Sequence, residues 1–400
     1  QQNQQQQQQQ QLCVLSLLNS SLFADWRGFR GSANNGLPEE TVKNWDGEQE
    51  IAWQSDLPGR GLSSPIIVGD RIFVTCSSGS LQDRLHVLCF SSKDGNKIWQ
   101  RDFWATGRTV TNPTTCVAAP SPASDGKHIF AFYSSNDLVC LDLDGNLKWF
   151  RGLTYDCPNV SNSLGMASSA LSVGDKVVVL LETDDESFAA GIDAKTGETS
   201  WRIDRPERAN WTSPAPSSDG KHVLMQSSKG VSAVDVATGE EVWNYADGAA
   251  TQPSPVVVDD VAYIASHGLT AIRPGKSNTS VPEIVWQASN INPAVASPIA
   301  YDGNVYVINS SGVMVAVTQK DGERLWQSRL QGKFSASPVM AGGKLVALNQ
   351  DGTSIVVDPA NKGDIISRLE LNETMLGTPA VGSDGIYFRS DNHLFKVSVD

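Results

Sequence analysis

Five histidines, six cysteines and one run of carboxylates are the side chains of this 400-residue chain with the most chemistry to offer. The histidines are His86, His128, His222, His267 and His393, and two of them, His128 and His222, close the same phrase, SDGKH. A histidine copied along with its turn belongs to the turn, whereas general-base work needs one base beside one reacting group. Residues 182–187, ETDDES, carry the oxygen donors that a hard cation uses, but they sit where one strand pattern ends and the next begins, so the run reads as a solvated tip. No metal site is predicted. No cysteines are adjacent and none form CxxC or CxxCH, which removes zinc ribbons, dithiol redox motifs and covalent haem from consideration. Cys76, Cys89 and Cys140 lie in apolar strand-like runs and read as small buried hydrophobes. Cys116 and Cys157 fall in long loops of neighbouring units and are a candidate disulfide.

The elements that would position any site come from a repeated phrase. AAGIDAKTGETSW ends at Trp201, VSAVDVATGEEVW at Trp243 and MVAVTQKDGERLW at Trp326, each with Gly four places before the Trp. Alternating apolar residues, a Thr-Gly or Asp-Gly turn and a second short run describe a hairpin. One hairpin is marginal alone in water and must belong to a larger sheet. The closing tryptophans are Trp53, Trp99, Trp149, Trp201, Trp243, Trp286 and Trp326, and an eighth mark falls near Leu369 without a Trp. In phase with them runs a small residue and Pro before an apolar strand: Ser64, Ala119, Ser169 (with Ala170 in the Pro place), Ser213, Ser254, Ser297, Ser337 and Thr378. A unit of this length with four strands is one blade of a propeller. The expectation is an all-β, eight-bladed β-propeller of four-stranded antiparallel blades, with the recurring Trp packed between blades. The last unit stops after a third strand, and residues 48–53, EQEIAW, have the form of the missing fourth, so the N-terminal strand is expected to close the ring.

Bulk composition narrows the function classes. The formal net charge of −13, with 40% hydrophobic and 19% charged residues, describes a globular chain without the basic footprint of a nucleic-acid surface. It also disfavours adhesion to anionic membranes. Residues 1–24 join a glutamine-rich tract to LCVLSLLNSSLFA, which reads as the apolar region of a signal peptide with cleavage after Ala24, although no Lys or Arg precedes it. That run is too short to span a bilayer. The expected organisation is residues 1–24 as this low-complexity, signal-like segment, 25–47 as a leader and 48–400 as the propeller. The protein is expected to be exported, to the periplasm or beyond.

The phrase DxxTGExxW, at residues 193–201 and 235–243, resembles the repeat of the pyrroloquinoline-quinone (PQQ)-like β-propellers, and the resemblance covers roughly residues 48–400. The opening DWRGFRGSANNG, residues 25–36, is similar to the leader of secreted bacterial members. The resemblance implies one of two branches: quinoprotein dehydrogenases, which hold PQQ and Ca²⁺ in a central funnel, or non-catalytic members such as the propeller of the outer-membrane barrel-assembly machinery. The dehydrogenases of the family would show a vicinal Cys-Cys pair and acidic ligands entering the funnel. This sequence has neither, and only its second and third units carry extended loops. The expectation is therefore a non-catalytic binding scaffold without cofactor, the alternatives being a PQQ-dependent oxidoreductase acting on alcohols or aldose sugars, and an outer-membrane protein assembly factor. Loops between each Trp and the next small-Pro mark should gather on one face around the funnel. They supply the candidate contacts to a protein, a small anion or a carbohydrate: Arg60, Trp104, Arg108, Asn159, Asn162, Asn210, Trp211, Gln252, Asn292, Lys333 and Phe334. Arg and Trp are the types that anchor interfaces. The outer strand edges offer a second route, pairing with a partner strand.

Overall fold

In the repeated phrase the turn is built by its own side chains. Asp193 ends the strand Phe188–Asp193, and its Oδ1 accepts the amide N–H of Lys195 and Thr196. Asp235 does the same for Ala237 and Thr238. Gly197 and Gly239 then take φ of +75°, the left-handed conformation that costs glycine nothing, and the chain runs back. The computed structural model describes residues 25–39, 45–160, 164–274 and 281–399. Among these, the repeats form eight four-stranded antiparallel sheets arranged as a propeller, as the repeat count predicts. Blade 1 spans residues 66–104, blade 2 123–152, blade 3 171–204, blade 4 215–245, blade 5 256–288, blade 6 299–329 and blade 7 339–370. Blade 8 takes three strands from residues 380–398 and its outermost from Glu50–Asp56, which pairs antiparallel with His393–Ser398. The two ends of the ring are thus sewn together as expected.

The core is a set of wedges between blades. One cluster joins Phe73 and Cys89 of blade 1 to Ile129 and Val139 of blade 2. The next joins Phe130 and Cys140 to Val177 and Val179 of blade 3, and the pattern continues round to a cluster shared by blades 7, 8 and 1. Each blade buries both faces only because it has two neighbours, so the hydrophobic effect favours the closed ring.

The tryptophans act at these joints. Trp53, Trp99, Trp149, Trp201 and Trp286 each donate the indole N–H to a carbonyl in the hairpin of the next blade, those of Ser92, Leu143, Ala194, Val236 and Gln319, at 2.7–3.1 Å. The ring lies on that hairpin's glycine: a Cβ on Gly95, Gly145, Gly197, Gly239, Gly322 or Gly363 would stand within 3 Å of the preceding blade's Trp, Trp326 included. Trp243 is buried among blade 4 and blade 5 residues. All eight outermost strands also carry a β-bulge one residue before this position, at Ala52, Ile98, Lys148, Ser200, Val242, Val285, Leu325 and Ile366. The bulge adds local twist, and it interrupts each outer edge as a template for strand pairing. The β-augmentation route drawn from the sequence is accordingly disfavoured.

Register corrects two of the sequence marks. Ser367, not Leu369, stands in the Trp position of blade 7, opposite Val356. Its hydroxyl donates to the carbonyl of Gly47 at 2.6 Å, replacing the indole bond, while Trp45 fills the interface between blades 7 and 8. In blade 2 the in-phase residue is Ser121, two places beyond Ala119. The displacement matters because these residues form a girdle. Ser64 donates its amide N–H to Ser121 Oγ, and the pattern passes through Ser169, Ser213, Ser254, Ser297 and Ser337 to Thr378, at 2.8–3.0 Å. The girdle is interrupted between blades 8 and 1, where Ser64 Oγ has no partner. There the buried Arg389 spans the seam, donating to Ser63 Oγ at 3.0 Å and to the Thr75 carbonyl at 2.8 Å.

The disulfide is not formed. Cys116 and Cys157 are free, buried thiols in different wedges, Cys116 between blades 1 and 2 and Cys157 between blades 2 and 3. Burial in apolar surroundings pushes the Cys116 thiol up to about 12 and raises that of Cys157 as well.

Candidate functional site

Strand direction sorts the connections. Successive strands of a blade alternate, so the blade-to-blade connections and the loops between second and third strands share one face, the loop face. The remaining turns, including the Asp-Gly hairpins, share the opposite, turn face.

The axis is closed from the turn face by the leader, residues 25–39. Asp25 accepts the amide of Gly69 in a blade 1 turn at 2.8 Å, and Trp26 exchanges two backbone hydrogen bonds with Ile67, each 2.9 Å. Arg27 O accepts from Ser124 of blade 2, Asn34 donates to Pro214 O of blade 4, Arg30 donates to Pro298 O of blade 6, and Gly36 O accepts from Met340 of blade 7. The leader therefore crosses the channel. Between it and blades 2–4 lies a cavity of about 200 Å³, lined by Arg27, Phe29, Asn34, Asp125 and Ser172 among others.

The loop face receives the sequence-predicted residues, one or two per connection, but only some are available to a partner. Arg108, Asn159, Gln252, Asn292 and Lys333 are exposed, and Arg60 is half-buried in an ion pair with Asp391 at 3.0 Å. Asn210 and Phe334 are buried and do not belong to a contact surface. Asn210 donates to Gln226 O at 2.8 Å, and Phe334 packs in the wedge between blades 6 and 7. Trp211 is half-buried and donates its indole N–H to Gly165 O at 2.9 Å, tying two connections together. Asn162 lies outside the described residues.

What stands out is a set of four exposed apolar side chains on the loop face over blades 1 and 2. Trp104 is 62% exposed and Tyr155 80%, with Leu81 and Val110 on the same face at 67% and 54%. The Arg84 guanidinium stacks on Trp104 at 4.1 Å, holding the ring in place. Leu81 and Val110 were not singled out from sequence, although an apolar residue inside a polar turn, as in SGSLQD, is the available signal. A shallow groove of about 640 Å³ lies further round the same face, with Arg208 and Lys229 on its walls.

The other chemistry-bearing residues are structural. Glu182 is buried against Arg205, 2.6 Å from Nε, and Glu186 pairs with Arg202 at 2.7 Å, so the acidic run is tied into two ion pairs. Desolvation raises the pKa of Glu182, with Arg205 opposing it. His128 is bonded to Asp125 in its own turn at 2.9 Å. His86 was not distinguished from sequence and sits in a relay, with Ser78 Oγ 2.7 Å from Nε2 and Asp102 Oδ1 2.6 Å from Nδ1. A Cβ at Gly59 would stand 2.9 Å from that of Ser78, so the backbone rests on the serine and the relay pins three strands of blade 1.

A quinone centre with Ca²⁺ would need several oxygen ligands converging near the axis. The first strands begin there with neutral hydroxyls already engaged in the girdle, and the leader brings in a guanidinium. Among the described residues no three His, Cys, Asp or Glu side chains come together to hold a metal. The residues present do not fit that group, and no step is derived through it.

An eight-bladed ring with its axis crossed by the leader is the architecture of a β-propeller. The chain belongs to the PQQ-repeat family described as outer membrane protein assembly factor BamB, whose model matches residues 39–180, 161–312 and 282–400. It is 25% identical over 239 residues to the outer membrane protein assembly factor BamB of Yersinia pestis, covering 53% of this chain and 60% of that protein. With BamB of Burkholderia pseudomallei the identity is 25%, covering 74% and 83%. A polyvinylalcohol dehydrogenase of Sphingopyxis is 21% identical, and the chain spans about half of its length, 50%. Among solved structures, BamB from Moraxella catarrhalis aligns over 88% of this chain and 98% of its own at 21% identity, TM-score 0.65. A europium-containing methanol dehydrogenase aligns over 94% and 98% at 13% identity, TM-score 0.69. Both structural likenesses speak to the fold alone. Among the described residues no helix is long and apolar enough to cross a membrane.

Proposed function

We propose that this chain is a non-catalytic, exported propeller that docks a protein partner on its loop face and serves outer-membrane protein assembly. The observation that carries this reading is the exposure of Leu81, Trp104, Val110 and Tyr155 on the loop face, with Arg84 stacked on Trp104. Exposed aromatics with a stacked Arg are the side chains that anchor interfaces. Family membership supports the biological setting, and the donor set around the axis argues against quinone chemistry.

The test is co-purification from envelope extract of the source bacterium, with partners identified by mass spectrometry. The wild-type chain should retain an outer-membrane assembly component. A Trp104→Ala, Tyr155→Ala double variant should lose it while keeping its melting temperature. Retention of the same partner by the variant would refute the site. Dye reduction with alcohols or aldose sugars after loading with PQQ and Ca²⁺ would refute the non-catalytic assignment.

A further inference from the structure

The leader meets the ring unevenly. It bonds to blade 2 through Arg27 O, which accepts from Ser124 N at 2.8 Å, and to blade 4 through Asn34, which donates to Pro214 O at 2.6 Å. Among the described residues it makes no hydrogen bond to blade 3, which stands between them. The cavity of about 200 Å³ occupies that gap, with Phe29 and Ser32 on the leader side and Ala170, Ser172 and Gly174 on the side of blade 3.

Blade 3 departs from the other blades at this very wall. After the girdle hydroxyl the other seven carry Pro, as at Pro65, Pro214 and Pro338, whereas blade 3 has Ala170. Pro has no N–H to offer. Ala170 keeps one, and among the described residues it meets no acceptor. Two residues on, Ser172 stands opposite Val177 in the register that Ile67 and Met340 hold opposite Ile72 and Leu345. In blades 1 and 7 the N–H of that residue reaches the leader, from Ile67 to Trp26 O and from Met340 to Gly36 O, each at 2.9 Å, and Ile67 O accepts from Trp26 in return. In blade 3 the same N–H and C=O have no partner among the described residues, and the half-buried Ser172 hydroxyl bonds to nothing there either. In an extended chain, N–H groups two residues apart point the same way and stand about 6.6 Å apart. Carbonyls recur at that same interval along one edge of an extended peptide. The charges at the cavity are already matched, since Arg27 pairs with Asp25 at 2.7 Å and Asp125 uses both carboxylate oxygens within its own turn.

We propose that the inner edge of blade 3 is a main-chain recognition site, which takes two residues of an extended, uncharged peptide in the way that Ile67 takes the leader. The N–H groups of Ala170 and Ser172 donate to peptide carbonyls, Ser172 O accepts a peptide N–H, and Phe29 offers an apolar wall to a small side chain. Main-chain hydrogen bonds along a strand edge supply the affinity in this mode of binding. The cavity is smaller than the roughly 300–1,000 Å³ that holds a drug-sized ligand, which limits the occupant to a short stretch. The site lies under the leader, away from the exposed side chains of the loop face, and is independent of them.

The experiment applies the full chain to an array of immobilised Gly-X-X-Gly peptides that covers every pair of residues, and measures Kd for the strongest binder by calorimetry. Peptides with small, uncharged side chains should bind, and N-methylation of the X amide that meets Ser172 O should abolish binding. Ala170→Pro copies the other seven blades and Ser172→Pro copies Pro216 of blade 4, so both should keep the wild-type Tm. Each should weaken binding roughly tenfold or more, because a peptide carbonyl is left without its donor. The Trp104→Ala, Tyr155→Ala double variant should bind the peptide as the wild type does, which separates this site from the loop face. An array with no binder, or with binders only among charged peptides, overturns the proposal. So does a Kd that Ala170→Pro or Ser172→Pro leaves unchanged, or one that the loop-face variant abolishes. Should neither proline variant fold, the N-methylated peptides decide the matter, and a Kd indifferent to methylation at both X amides overturns the site.

Discussion

Replacing Gly239 by Ala should be costly for a reason that lies in the neighbouring blade. Gly239 holds φ of +75°, and a Cβ there would stand 2.7 Å from Cδ2 of Trp201. The left-handed conformation alone costs an Ala about 1–2 kcal/mol. Forcing a methyl into the packed ring adds about 1–3 kcal/mol. Trp201→Ala removes a 7%-exposed side chain together with its 2.8 Å bond to Val236 O, a loss of about 3–5 kcal/mol. In the double variant the steric part of the glycine penalty disappears because the ring is gone. The two changes should therefore fall short of additivity by about 1–3 kcal/mol. Urea unfolding of the four proteins, followed by circular dichroism with the slope m checked for constancy, gives the coupling. Additivity within about 0.5 kcal/mol would show that the ring and the turn do not touch and would refute the joint described here.

Three further outcomes follow from the same geometry. Deleting residues before Ser55 removes Trp45, Trp53 and most of the closing strand, and should lower Tm by more than about 5 °C; a synthetic peptide of residues 45–56 added in trans should restore part of it, as read by calorimetry. In the girdle, Ser213→Ala leaves the buried Ser169 N–H without its acceptor and should cost about 1–3 kcal/mol in urea unfolding, whereas Ser64→Ala, whose hydroxyl accepts no such bond, should be nearly neutral. Backbone amides of the hairpins hold the carboxyls of Asp193 and Asp235 below their ordinary range, the largest contributions coming from Thr196 and Thr238. A carboxylate with a depressed folded pKa stabilises above its unfolded value, about 3.9, and loses that contribution as pH falls through the folded one. Tm should thus decline below about pH 4, and Asp193→Asn, Asp235→Asn should flatten the decline.

The ring was legible because its signals are local and repeated eight times. Asp, Gly and Trp at fixed offsets define the hairpin, and a missing last strand matched by a spare first one defines the closure. Side-chain burial was less so. Asn210 and Phe334 read as loop residues, yet one is a buried cap and the other core, because loop connections of a propeller fold down into the wedges. Leu369 was mistaken for the Trp position because Ser367 carries no aromatic to mark it, although it keeps the spacing of four from its hairpin glycine, Gly363, that the tryptophans keep from theirs. The girdle escaped notice for a different reason. Ser-Pro marks were visible, but only the closed ring brings each serine to its neighbour's amide. Arg30 lay in a stretch recognised as a leader, and nothing in DWRGFRG announces that its second arginine is the buried one.

A photo-reactive residue placed on the loop face tests its role as a docking surface directly. Introduced at Tyr155, it should cross-link in the living cell to an outer-membrane protein assembly component, while the same residue at Glu198, on the turn face, should not. No cross-link from position 155, or an equal one from position 198, would contradict the account.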